Sequence, residues 1–157
     1  MHVFDRIEIN GKIFCGRDAV LPRIVKLYEE GRLADAGIDL EGSVIFHTAL
    51  SLAGIGPTSS NKLEIESSIK TLSEAGVSLH LGKGALSDET KAALNEYGSY
   101  FAVTPPVSAL FTSRIVNRSV AAFPELGMEA FYELEVDGIP AIVAIAGGVS
   151  IFDPVKV

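Results

Sequence analysis

Cysteine occurs once, at position 15. A single thiol excludes an intrachain disulfide and leaves this chain without the several thiolates that an iron–sulfur cluster takes. Cys15 reads instead as a small buried residue at the end of a strand. Positive charge is also scarce, with 13 Lys and Arg against 20 Asp and Glu and a formal net charge of −7. Binding a phosphate backbone relies on a basic face, so nucleic acid is excluded as the main partner, and any cation that matters acts locally. Charge of either sign is missing from three stretches, 42–61, 98–113 and 138–152. Each is interrupted by Gly, Pro or hydroxyl residues, and none reads as a membrane span. The sequence opens without a charged leader, apolar core and small-residue cleavage site, which makes a cytoplasmic location the expectation.

What is present is apolar. Hydrophobic residues make up 48% of the 157 and charged ones 21%, with a mean hydropathy of +0.33. That length supports one domain with a proper core, spanning 1–157. So apolar a surface implies that part of it belongs to a partner subunit.

The chain is organised around residues 53–62, Ala-Gly-Ile-Gly-Pro-Thr-Ser-Ser-Asn-Lys. Two glycines and a proline predict a tight turn, and Asn61 with Glu64 reads as a capping pair for the helix that follows, with Thr58, Ser59 and Ser60 as alternative caps. Free N–H groups and partial positive charge at a helix start suit an anion, and Lys62 adds a full charge. No Gly-Lys-Ser/Thr closes the turn, so it is not a nucleotide-binding phosphate loop. An ordinary capped helix is the plainer reading.

Two more turns of this kind flank it. Around Asn10-Gly11 the sequence predicts a hairpin of two short strands, the second running through Cys15 into Gly16-Arg17-Asp18. Val20, Leu21, Ile24, Val25 and Leu27 then mark the inner face of a helix with Asp18 as its cap. Arg17 at the lip could grip a carboxylate with two parallel bonds; the alternative is an ion pair with Asp18 or another acid. Residues 43–47 read as a buried strand ending at His47, which either faces the site or is a hydrogen-bonded core residue. The helix after the central turn runs to about Ala75 with Ile65, Ile69 and Leu72 inside and Gly76 as its stop. Residues 77–81 alternate as a strand ending at Gly82-Lys83-Gly84, where the lysine can reach across a cleft. Ser87 caps the next helix, 98–103 is strand-like, and Pro105-Pro106 leads into a short helix. The end of the chain reads as a second hairpin turned at Asp137-Gly138.

Strands alternating with helices indicate an α/β domain, a mixed sheet with flanking helices. In such sheets ligands sit at the carboxyl ends of strands. Three of those ends carry Arg17, Thr58 with Lys62, and Lys83, and several converging cations suit a small dicarboxylate.

Gly16-Arg17-Asp18-Ala19, then Gly56-Pro57-Thr58-Ser59-Ser60, then Gly82-Lys83-Gly84, in that order and spacing, resemble the β subunit or C-terminal domain of class I fumarases and L-tartrate dehydratases. Residues 126–130 and 136–140 resemble that family's last hairpin. The resemblance implies a swivelling β/β/α domain working against an α subunit that carries a [4Fe–4S] cluster, in a hetero-oligomer or dimer. It implies that the cluster's open iron acts as a Lewis acid on the hydroxyl. Carried over by motif, Arg17 and Lys83 would bind carboxylate and Thr58 would transfer the proton, with no metal ligand in this chain; His47 and Ser59, outside that carry-over, are further candidates. Lys62 stands where the family usually has arginine and would be a third carboxylate contact.

The function implied is therefore hydration and dehydration of a four-carbon dicarboxylate, fumarate and malate first and tartrate second. A diverged, non-catalytic dicarboxylate-binding domain is the reading from another class. A phosphoryl-carrying swivelling domain ranks last, because neither Ser60 nor Asn61 can carry a phosphate as histidine does.

Overall fold

The computed structural model describes residues 2–16, 19–51, 54–58, 62–82, 86–104 and 113–151, with the backbone alone described at 49–51, 54–58, 62–65 and 67. Strand β1 (Arg6–Gly16) is followed by helix α1 (Leu21–Glu29), β2 (Val44–Ser51), β3 (Gly54–Thr58), α2 (Lys62–Glu74), β4 (Leu79–Gly82), α3 (Asp88–Tyr97), β5 (Tyr100–Val103), β6 (Ile115–Ala122), β7 (Phe131–Ala146) and β8 (Val149–Ser150). The class is mixed α/β, a sheet with flanking helices. No helix among the described residues is long and apolar enough to cross a membrane.

Strands β1, β2, β4 and β5 lie side by side and parallel. Strand β7 runs antiparallel to both β5 and β1, so the sheet closes on itself as β1-β2-β4-β5-β7. Outside this ring β3 pairs with β2, while β6 and β8 pair with β7. Alternation along the strands separates two sides. Ile13, Cys15, Phe46, Leu81, Ala102 and Leu134 come from all five ring strands and form one cluster inside. Residues one step along face outward beneath the helices. Ile45 joins Leu21 and Ile24 of α1 and Leu72 of α2, and Phe101 joins Ile69 of α2 and Leu94 of α3.

Local rules account for the helices. Helix α1 has Pro22 in its first turn, where a missing N–H costs nothing, and it buries Leu21 and Ile24 with Val25 and Leu27 packed alongside. Its N-cap is Val20, with no side-chain hydrogen bond; the proposed cap Asp18 lies outside the described residues. Helix α2 starts at Lys62 and ends two residues before Gly76, whose φ of +115° only glycine adopts readily. Ser87 caps α3 by accepting from the Thr90 N–H at 3.2 Å. The expected short helix after Pro105-Pro106 falls outside the described residues.

Both expected terminal hairpins are absent, and the physical reason is shared. Asn10-Gly11 sits within the continuous β1, and Asp137-Gly138 within the continuous β7. The two dipeptides face each other across the β1–β7 ladder, where the register shifts between Ile9 and Asn10. Gly138, at φ +80°, is the extra residue of a bulge, and its N–H donates to Asn10 Oδ1 at 2.8 Å. Long-range pairing has converted two turn signals into one coupled bend. The central segment differs too: residues 54–58 form a strand that returns along β2 rather than only a turn.

Gly138→Ala places a side chain in the left-handed region, and the added Cβ would meet Glu8 Oε1 at 2.7 Å. It is expected to cost about 1–2 kcal/mol, and Asn10→Ala about 1 kcal/mol. Urea unfolding checks both, and unchanged midpoints would mean that the bulge does not set the register.

Candidate functional site

The parallel register builds one row of strand ends. Gly16 pairs with His47, Phe46 just before it pairs with Leu81, and Gly82 pairs with Val103. Gly16, His47, Gly82 and Val103 therefore stand in line at the carboxyl edge of β1, β2, β4 and β5. Strand β3 brings Thr58 opposite Thr48, the residue after His47. Five backbone positions distant in sequence, Gly16, His47, Thr58, Gly82 and Val103, thus lie along one edge of the sheet.

Of the residues expected at the site, Arg17, Ser59 and Lys83 lie outside the described residues. The residues that precede Arg17 and Lys83 are two members of the row. At Thr58 and Lys62 only the backbone is described: Thr58 ends β3, and Lys62 opens α2. Gly16 is required where it stands, since a Cβ there would lie 2.7 Å from Val20 Cγ1 and 3.2 Å from the Phe131 ring. The absent side chain lets β1 end tight beneath the start of α1.

His47 is described in full, and it is not a lone histidine. Its Nε2 lies 3.0 Å from Nδ1 of His80, and His80 Nε2 lies 2.9 Å from Ser73 Oγ on α2. Both rings point outward from the sheet and are buried beneath that helix, 1% and 0% exposed. Among the described residues His47 Nδ1 has no hydrogen-bond partner. Burial pushes His47 down to about 4; burial and the neighbouring His47 push His80 well below its ordinary value. Both rings are neutral at pH 7. His80 and Ser73 were not singled out in the sequence. Alternation in 77–81 sets His80 apart from Leu79 and Leu81, but only the β2–β4 register puts it beside His47.

Among the described residues no group of three His, Cys, Asp or Glu could hold a metal ion. The one thiol, Cys15, is buried inside the ring and donates to the Thr48 carbonyl at 3.1 Å. A polar groove of about 140 Å³ between β1, β6 and β7 is lined by Lys12, Arg118, Glu133 and Glu135, among others, and by none of the expected site residues. Its Lys12–Glu133 pair, at 3.6 Å, is largely exposed and adds little.

The unfolded chain titrates its histidines near 6.5, whereas folded His47 waits until about pH 4. As pH falls below 6.5 the unfolded state takes up protons first, so stability is level above about pH 7 and drops between 6.5 and 4. His47 alone accounts for a loss on the order of 3 kcal/mol across that window. Melting temperatures at pH 7.5 and 5 are expected to show this fall, and a smaller one in His47→Gln. A melting temperature level over that interval would contradict the buried neutral pair.

A family model described as Fumarase C-terminus matches residues 1–155. The chain is 26% identical over 151 residues to "Fumarate hydratase class I, anaerobic" of Escherichia coli (strain K12), covering 91% of this chain and 27% of that protein. Identity with "Fumarate hydratase 2" of Leishmania major is 24% over 147 residues, 89% of this chain and 26% of the relative. With "Putative L(+)-tartrate dehydratase subunit beta" of Methanocaldococcus jannaschii it is 30% over 171 residues, 99% of this chain and 86% of that one. The chain thus spans about a quarter of the length of the fumarate hydratases it matches.

Proposed function

The chain belongs to the fumarase C-terminus family, and from that premise we propose that it is the β subunit of a two-subunit hydro-lyase acting on a four-carbon dicarboxylate. Its relatives carry the names of fumarate hydratases and of a "Putative L(+)-tartrate dehydratase subunit beta". In this reading residues 1–157 are one swivelling domain, fumarate and malate are the substrate pair, and the [4Fe–4S] cluster belongs to the α subunit. The observation that carries it is the row of strand ends, because Arg17 and Lys83 directly follow two of its members, Gly16 and Gly82.

The chemistry assigned to this chain follows from the residue types. Arg17 holds one carboxylate through a planar, two-bond contact, and Lys83 holds the other as a point charge. Lys62, at the start of α2, adds a third cation where the helix N-terminus already favours an anion. Thr58 moves the proton at the carbon beside the hydroxyl. A threonine hydroxyl is a poor base in water, so a carboxylate of the α subunit must take its proton. Tartrate is the alternative substrate, suggested by the 30% identity with the protein named "Putative L(+)-tartrate dehydratase subunit beta".

The complex reconstituted with its α subunit without oxygen is to be assayed on fumarate, malate and tartrate. Lys83→Met and Thr58→Ala are each expected to lower turnover by roughly a hundredfold or more with unchanged melting. Full activity in both variants would remove the proposed site. Diacid binding without turnover of any of the three would leave the non-catalytic reading.

A further inference from the structure

Among the described residues the Ser73–His80–His47 chain of polar groups ends without a partner at His47 Nδ1. Both rings are buried and neutral, so each carries a single N–H. The 3.0 Å contact between His47 Nε2 and His80 Nδ1 needs one proton and one lone pair. The two tautomers are therefore coupled, and either both rings carry hydrogen on Nε2 or both carry it on Nδ1. In the first case His80 donates to Ser73 Oγ, and His47 Nδ1 is a bare lone pair. In the second Ser73 donates to His80, and His47 Nδ1–H is a donor without a described acceptor.

Two considerations select the first. A buried donor without a partner is rarer in proteins than a buried acceptor without one. A serine within a helix can pass its own hydrogen to the carbonyl one turn back, leaving its oxygen to accept. The open end is thus a neutral acceptor, and an orphaned buried polar atom is costly enough to need an explanation. His47 stands between Gly16 and Gly82 in the row of strand ends. A neutral lone pair repels carboxylate oxygens, so a ligand group meeting this atom would be one other than those the cations hold.

We propose that His47 Nδ1, kept as a bare acceptor by His80 and Ser73, receives the O–H of a hydroxylated diacid and distinguishes it from one that lacks the hydroxyl. The proposal rests on the dicarboxylate reading above and adds a residue that sets specificity within it. His80 and Ser73 act through His47 as positioning residues.

The α–β complex is to be inhibited with succinate and with whichever hand of malate it does not turn over. In His47→Gln the amide can reach toward His80 but leaves nothing at the Nδ1 position. The variant is expected to bind the hydroxylated inhibitor about three- to tenfold more weakly, the loss of one neutral hydrogen bond, with succinate within about twofold of the parent. Equal weakening of both inhibitors, or of neither, overturns the proposal while the dicarboxylate reading stands. If the parent complex binds neither diacid, that reading falls and the proposal with it. Should the variant not fold, the ¹⁵N resonances of the unaltered full chain decide. An unprotonated His47 Nδ1 is expected, and an Nδ1–H overturns the proposal.

Discussion

At Ile142 strand β7 is paired on both flanks at once, with Arg6 of β1 on one side and Val103 of β5 on the other. That closure fixes the rest of the molecule. A 16-residue strand would run roughly 50 Å if straight, too long to serve both neighbours without a bend. The bulge at Gly138, tied to Asn10, supplies one. With β1 and β5 both held to β7, the parallel strands β2 and β4 between them have little freedom to slip. A slip of one residue would turn Phe46 and Leu81 out of the interior and carry His47 and His80 into it.

The same register that packs the ring aligns Gly16, His47, Gly82 and Val103 at one edge. Position in this row is a consequence of core packing, since the inward residues Cys15, Phe46, Leu81 and Ala102 sit one step back from it. Stability and site geometry therefore share one cause. The buried histidine pair adds a second coupling, because Ser73 joins α2 to β4 and, through His80, to β2. Lys62 opens that helix and Gly82 ends that strand, so the pair links two of the segments that carry the expected cations.

Much of this was legible in the sequence, for identifiable reasons. The inner face of α1, the Ser87 cap of α3, and the stop at Gly76 are local, and local chemistry gave them. The mixed sheet followed from alternation of strands and helices. Asn10-Gly11 and Asp137-Gly138 misled because strong hairpin dipeptides also make bulges, and only the distant strand decides between the two outcomes. Strand β6 is exposed along most of its length, so no apolar alternation marks it. His80 and Ser73 were missed because their partnership with His47 depends on register and on the seating of a helix, neither of which a local motif encodes. The motifs placed the expected site after particular strands, and the register aligns the ends of β1 and β4 while β3 adds Thr58 beside them.

The central claim is that segments leaving Gly16, Thr58 and Gly82 serve one pocket. Hydrogen–deuterium exchange of the α–β complex, with and without a saturating four-carbon diacid, tests it most directly. The account predicts that peptides covering 14–18, 46–58 and 80–84 all gain protection together, while β6 is unchanged. Protection at only one of the three, or a gain confined to β6, would contradict it.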